Sequence, residues 1–303
     1  ILDIYDRFCL EQAAIPVIKG TKSETERFAG AHTTTSIEAM MWDKRALQSG
    51  TSHYFSANFA KAFDIQFLNK ENVLQYAETT SWAISSRIIG AMIMVHGDDQ
   101  GLVMPPRLAP IQAVIVPIFK NDAEKEKVMG AADRIFMELK SAKIRVKMDD
   151  RDNVSSGFKF NDWEMRGVPV RIEIGPKDIE KGTVALARRD KPGKEGKTFV
   201  SQTHLDKAVS GLLDEIQSSL LKRATEYRDA NIHNPKDFEE LKQVVQDGWA
   251  FSYWCESTEC EKKVKDETKA TTRNIPFNQP DKEGICIVCG KPSKRKVYFA
   301  RAY

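Results

Sequence analysis

The sequence predicts a multidomain protein that mixes α/β and α+β architecture, and three observations carry that expectation. A length of 303 residues sets a prior of about two domains. Residues 113–188 alternate short β-branched runs with segments of helical period, the pattern of a small mixed α/β domain. Four of the five cysteines, Cys255, Cys260, Cys286 and Cys289, lie together near the end and mark a separate small module.

Composition narrows the class further. The 46 Lys+Arg against 43 Asp+Glu leave a net charge of +3, too small to imply nucleic-acid binding by itself. A hydrophobic fraction of 41% with 29% charged residues excludes a mainly disordered chain or a fibrous repeat. No apolar run reaches the roughly 18 residues of a membrane span. There is no signal peptide, and the cysteines are not spread as in a secreted disulfide scaffold. A reducing, cytoplasmic setting is expected.

Taken in order, 1–14 reads as a helix with Ile1, Ile4, Tyr5, Phe8 and Cys9 on one face. It begins without a cap at the first residue, so upstream chain is expected. Apolar stretches at 15–18 and 37–41 flank a Thr-rich region, and 46–53 follows. A short helix at 58–63, strands at 64–68 and 75–82, and a helix over 84–95 containing Arg87 complete a first unit, which Pro105 and Pro106 end. Strands are expected at 113–118, 144–148, 170–174 and 183–188, a helix at 124–142, a helix or turn at 157–165, a charged turn at 149–152 and a Gly/Lys/Pro hairpin at 190–197. A helix at 205–227 reads as a linker. The last unit has a helix at 238–245 and strands at 249–254 and 296–300. The expected division is 1–107, 108–204, 205–231 and 232–303.

The strongest chemical signal is Cys255-x4-Cys260 with Cys286-x2-Cys289-Gly290. Structural zinc is tetrahedral and favours paired thiolates on tight turns. Two unrelated thiol pairs are the alternative; a thioredoxin-like redox site lacks its βαβ context. Other polar residues are ambiguous alone. Arg87 in an apolar helix either pairs with a buried carboxylate or offers its planar fork to a polyphosphate. His53 alone is more often structural. His96-Gly-Asp-Asp reads either as a metal site or as a polar turn capping the helix. No Walker or dinucleotide-binding loop is present.

Longer motifs are more specific. They are Pro16-Val-Ile-Lys-Gly-Thr-Lys-Ser-Glu, Phe28-Ala-Gly-Ala, Ala46-Leu-Gln-Ser-Gly-Thr-Ser-His, Thr80-Ser-Trp-Ala-Ile-Ser-Ser-Arg-Ile-Ile-Gly and His96-Gly-Asp-Asp-Gln-Gly-Leu-Val-Met-Pro-Pro. Asp150-Arg-Asp, Lys159-Phe, Trp163-Glu, Gly167-Val-Pro-Val-Arg and Glu173-Ile-Gly-Pro-Lys-Asp follow. Together they resemble the C-terminal part of the prolyl-tRNA synthetases of archaeal and eukaryotic type, also found in some bacteria.

The resemblance implies the second half of an antiparallel class II catalytic sheet with motif 3 at 1–107. An α/β anticodon-binding domain and a small zinc-containing α+β domain follow. It implies ATP-dependent activation of L-proline to prolyl-adenylate and transfer to the 3′ end of tRNA(Pro), with ATP, Mg²⁺ and structural Zn²⁺. In this resemblance Arg87 holds the ATP γ-phosphate, Gln48 and Thr51 lie at the ATP site, and His53, Ser81 and Trp82 line the proline pocket. Glu164, Arg171, Lys177, Asp178 and Arg188 face the anticodon. Cys255, Cys260, Cys286 and Cys289 hold the metal, and Tyr303 contacts the catalytic unit. Ala83 stands where the family usually has Gly, Thr33-Thr-Thr-Ser where it has Tyr-Thr-Thr-Thr, and Phe55-Ser56 where it has Leu-Gly. Motifs 1 and 2 are absent from these residues, so the complete protein is expected to be an active homodimer and this segment alone inactive. A non-catalytic tRNA- or protein-binding fragment is the alternative. No membrane or DNA partner is expected.

Overall fold

The computed structural model describes residues 1–191 and 193–303. The chain divides into two units: Ile1–Leu10, Ile15–Val95 and Thr225–Tyr303 in the first, Glu11–Ala14 and His96–Ala224 in the second.

In the first unit, strands Val17–Thr21, Thr33–Met40, Ala46–Ser56 and Thr79–Ile84 form an antiparallel sheet, to which Ile275–Pro276 adds an edge strand beside Val17–Thr21. That edge demands a glycine: a Cβ at Gly20 would lie 2.3 Å from the Ile275 carbonyl oxygen. A second sheet, Ile232–His233, Trp249–Tyr253, Lys296–Ala300 and Thr271–Thr272, packs beside the first through Met40, Ala46, Trp249 and Ala300. The buried Trp249 indole donates to the Lys44 carbonyl at 2.9 Å.

The N-terminal helix is shorter than its periodicity suggests. It runs Leu2–Arg7 and continues through a wider π-type turn at Phe8–Gln12, so Leu2, Tyr5 and Cys9 are buried while Ile1 and Ile4 face solvent. The expected 84–95 helix begins at Arg87 instead, because Ile84 still pairs with Gly50 as the end of a strand. The expected 64–68 and 75–82 strands resolve into an exposed hairpin, Gln66–Leu68 with Leu74–Tyr76, and then Thr79–Ile84.

The second unit is built on Ala113–Pro117, all five residues buried. Such a run suits a central strand covered on both faces. Val146–Met148 and Val170–Ile174 lie parallel to it on either side. Thr183–Arg188 and Lys197–Ser201 extend the sheet antiparallel. The last of these is a strand that the sequence reading did not anticipate; position 192 of the expected 190–197 hairpin lies outside the described residues. Helix Asp122–Ser141 starts where Asn121 accepts from the Glu124 amide at 2.9 Å. It buries Val128, Ala131, Ala132, Ile135 and Leu139 on one face. Helix Leu205–Ala230 is more than a linker: Leu205, Val209, Leu213, Ile216 and Leu220 belong to this unit's core.

The charged turn after Val146–Met148 conceals a buried hub. Asp149 is 2% exposed. Its carboxylate accepts from the Trp163 indole at 2.7 Å and from the Arg151 guanidinium at 2.8 and 2.7 Å. Burial alone would raise its pKa, but Arg151, Trp163 and Lys159 outweigh it and hold the group at about 2. A depressed folded-state pKa contributes stability that is present above the unfolded value near 4 and is lost as pH falls through the folded one. Asp149→Asn is therefore expected to cost about 2 kcal/mol at neutral pH and to flatten the acid limb of the stability curve between about pH 4 and 2. Chemical denaturation at a series of pH values checks this. Parallel curves for the two proteins would mean that Asp149 is not the titrating group.

Candidate active site, recognition cavity and metal centre

Side chains alternate along a strand, so residues three apart normally face opposite ways. Gln48 and Thr51 break that rule. Ile37 pairs with Gly50 and Glu38 with Gln48, leaving Ser49 as an extra residue in a β-bulge. The bulge turns Gln48 to the face that carries Thr51 and His53. Thr51 pairs with Ala83, and His53 with Ser81. Among the described residues the Gln48 amide and the Thr51 hydroxyl have no hydrogen-bond partner, so both polar ends are available.

His53 Nδ1 lies 2.9 Å from the Thr34 hydroxyl, and its ring centroid is 5.0 Å from that of Phe28. Burial lowers the His53 pKa, which favours a neutral imidazole in neutral solution. Phe28 was not anticipated as a site residue; it stands within a quoted motif, but its approach to His53 is a long-range contact. Trp82 departs from the expected grouping. It pairs with Ser52, on the face of Gly50 and Ile84, and is 54% exposed. The period of two thus puts Trp82 across the sheet from His53 and Ser81. Arg87 is exposed in the first turn of its helix and forms no ion pair among the described residues, so the buried-carboxylate alternative is excluded.

In the second unit, Asp98 of the His96-Gly-Asp-Asp stretch forms a two-pronged pair with Arg189 at 2.6 and 2.7 Å. Asp98 also accepts from the Gln100 amide at 2.9 Å and pairs with Gly101, so the stretch forms the polar turn that the sequence allowed after the helix, with Asp98 as an ion-pair anchor. A cavity of about 310 Å³ opens beside Phe160, Trp163, Glu164, Arg171, Glu173, Arg188 and Lys197. Arg171 bonds Glu164 at 2.6 Å and Glu173 at 3.0 Å and lies 4.1 Å from the Phe160 ring centroid. Glu164 and Arg171 are thus brought together.

Of the other expected anticodon residues, Arg188 lines the same cavity and Lys177 and Asp178 do not. The Arg188 side chain reaches the cavity wall but is 8% exposed and bound to Asp190 and Glu215. Asp178 accepts from the Gly175 amide at 2.9 Å and caps the short helix Pro176–Lys181, which also carries Lys177; neither lines the cavity. Phe160, Glu173 and Lys197 were missed. The Arg171-x-Glu173 alternation within one strand was their available signal.

The four sulfurs of Cys255, Cys260, Cys286 and Cys289 lie within 4.8 Å of one another. Zn–S bonds of about 2.3 Å in a tetrahedron place sulfurs about 3.8 Å apart. Cys255 stands 3.6 Å from both Cys260 and Cys289. Cys260 rides the first turn of helix Thr258–Thr268, and Gly290, at φ 73°, closes the turn after Cys289. The Lys291 backbone amide donates to Cys289 and lowers its pKa to about 7, toward the thiolate a metal requires. The donor set fits zinc and leaves no open position.

Comparison with known proteins covers the whole chain. Residues 238–303 match the family model "Prolyl-tRNA synthetase, C-terminal", and residues 112–215 match "Anticodon binding domain". The chain is 54% identical over 301 residues to a proline--tRNA ligase of Roseiflexus sp. (strain RS-1), covering 99% of this chain and 62% of that protein. It is 48% identical over 307 residues to the chloroplastic/mitochondrial proline--tRNA ligase of Arabidopsis thaliana, covering 100% of this chain and 56% of the relative. The chain thus spans about three fifths of the length of these curated relatives and is similar to the C-terminal part of prolyl-tRNA synthetases.

Tyr303 is tied down. The Tyr303 amide donates to the Ala46 carbonyl at 3.3 Å, its hydroxyl bonds Asp43, and Arg45 stacks over its ring. The docking point is the start of Ala46–Ser56, two residues before Gln48. His53 lies about 20 Å further along the strand at ~3.3 Å per residue. Tyr303 therefore meets the Gln48 end of the sheet.

Proposed function

We propose that the chain forms part of a proline--tRNA ligase. In the intact protein this enzyme uses ATP to convert L-proline to prolyl-adenylate and passes the prolyl group to the 3′ end of tRNA(Pro). The observation that carries the reading is the shared face of Gln48, Thr51 and His53, in a chain that is 54% identical to a proline--tRNA ligase. Attack of the prolyl carboxylate on the α-phosphate develops charge on the phosphates, and fixed donors stabilise it. Arg87, exposed and without an ion-pair partner among the described residues at a helix start, serves the γ-phosphate through its fork. Gln48 and Thr51 serve the nucleotide, and His53 with Ser81 serves the proline side. Mg²⁺, when bound with ATP, neutralises the phosphates.

Zinc at the cysteine cluster is structural in this reading. The intact enzyme is read as a cytoplasmic homodimer; among the described residues no helix is long and apolar enough to cross a membrane. Proline-dependent exchange of pyrophosphate into ATP by the intact protein tests the activity. Absence of exchange would favour the non-catalytic fragment reading.

The Glu164–Arg171 cavity is proposed to take an unstacked anticodon base, with Phe160 and Arg171 for stacking and Glu164 to accept from a base amino group. Arg171→Ala is expected to raise the tRNA KM about tenfold or more, the scale of one lost base contact. Lys177→Ala, outside the cavity, is expected to change it less than about threefold. The opposite ranking would move recognition to the Pro176–Lys181 helix. Deleting Tyr303 is expected to lower proline activation several-fold with melting unchanged, because its anchor on Ala46 braces the strand that carries Gln48. Equal activity for the deleted and intact proteins would remove that role.

A further inference from the structure

The bulge that aligns Gln48 with Thr51 lies against a buried ion cluster. Glu38, the residue paired with Gln48, has a side chain that is 0% exposed. One of its oxygens accepts from Lys22 Nζ at 2.7 Å and from the Ser36 hydroxyl at 3.2 Å. The other accepts from Arg273 Nη2 at 2.9 Å and Nε at 3.3 Å. Lys22 also donates to the Arg273 carbonyl at 2.7 Å. The Lys22 and Arg273 side chains are 2% and 7% exposed. A second buried carboxylate repeats the connection: Glu261, the neighbour of Cys260, accepts from Ser23 at 2.7 Å and from Thr272.

Two cations and one carboxylate withdrawn from water are costly unless their geometry is held. Such a cluster is a poor source of stability and a strong constraint on position. Here the constrained residue is Glu38, where the strand register shifts. A bulge has fewer ladder bonds to define it than a regular strand, and Ser49 contributes a short contact to the Leu47 carbonyl, at 3.2 Å.

We infer that Glu38, clamped by Lys22 and Arg273, is a positioning residue that fixes the bulge and thereby holds Gln48 beside Thr51 at the nucleotide site. Arg273 is supplied from the cysteine-bearing C-terminal segment, 235 residues away in sequence. The inference rests on the reading of Gln48 and Thr51 as ATP-site residues, but its structural half, control of the bulge, stands apart from that reading.

The test uses Glu38→Gln and Arg273→Lys in the intact protein. Arg273→Lys keeps the buried charge and removes the fork, so it serves if Glu38→Gln fails to fold. Pyrophosphate exchange is expected to show the ATP KM raised about tenfold with the proline KM within about twofold, the scale of a small misplacement of one ligand. Hydrogen exchange is expected to show amides 47–51 opening about tenfold faster while 17–21 keep their protection. A purely structural role would lower the melting temperature and leave the ATP KM unchanged, and that result overturns the inference. If the unmutated protein shows no pyrophosphate exchange, the enzymatic reading fails. The bulge claim is then decided by amides 47–51 alone, and unchanged protection there overturns it.

Discussion

If the cysteine cluster holds zinc as proposed, Cys286→Ser is expected to lose that zinc and to lower the melting temperature by about 10 °C, equivalent to about 3 kcal/mol for a chain of this size. Cys286 is 2% exposed and sits in a cluster with Trp254, Cys260, Val264, Ile275, Val297 and Phe299. A hydroxyl is a far weaker zinc ligand than a thiolate, and three remaining sulfurs in a closed site leave the ion exposed to water. The damage should spread beyond the turn. Ile275 belongs to that cluster and also pairs with Thr21 at the edge of the first unit's main sheet. Metal analysis and calorimetry on the reduced protein read both effects. A zinc-free preparation of the unmutated protein with the same melting temperature would refute the structural-metal reading.

Arg87→Ala is expected to reduce proline-dependent pyrophosphate exchange by about 10²–10³-fold, the usual effect of removing one preorganised charged donor from a transition state. Stability should move by less than about 0.5 kcal/mol, because the side chain is exposed and holds no partner among the described residues. This separation of activity from stability is the informative part. Arg87→Lys should recover little of the activity, since an ammonium keeps the charge without the planar fork. A loss below about threefold for Arg87→Ala would place the residue outside the phosphate site.

The departures between sequence expectation and structure share a cause. The sequence correctly signalled the Ala113–Pro117 strand by a continuous apolar run, buried throughout, and the Asp122–Ser141 helix by the period of its one buried face. It misjudged the 84–95 segment, where an apolar run contains both the end of a strand and the start of a helix. Arg188 and Arg171 both line the cavity, and both guanidiniums are already paired, Arg188 with Asp190 and Glu215 and Arg171 with Glu164 and Glu173. Charge type is visible in a sequence; whether the charge is already satisfied is not.

By itself the sequence signalled the four-cysteine cluster, since a Cys-x4-Cys and a Cys-x2-Cys-Gly pair carry their turn geometry with them. It also determined the family, through long motifs whose residues are contiguous. Only the tertiary structure decided which face each candidate occupies. One extra residue at Ser49 reverses the strand's alternation and unites Gln48 with Thr51, while the regular pairing of Trp82 with Ser52 sends that ring across the sheet. Only the fold could join Glu38 to Arg273, because a buried charge finds its partner through space, after the chain has brought distant segments together.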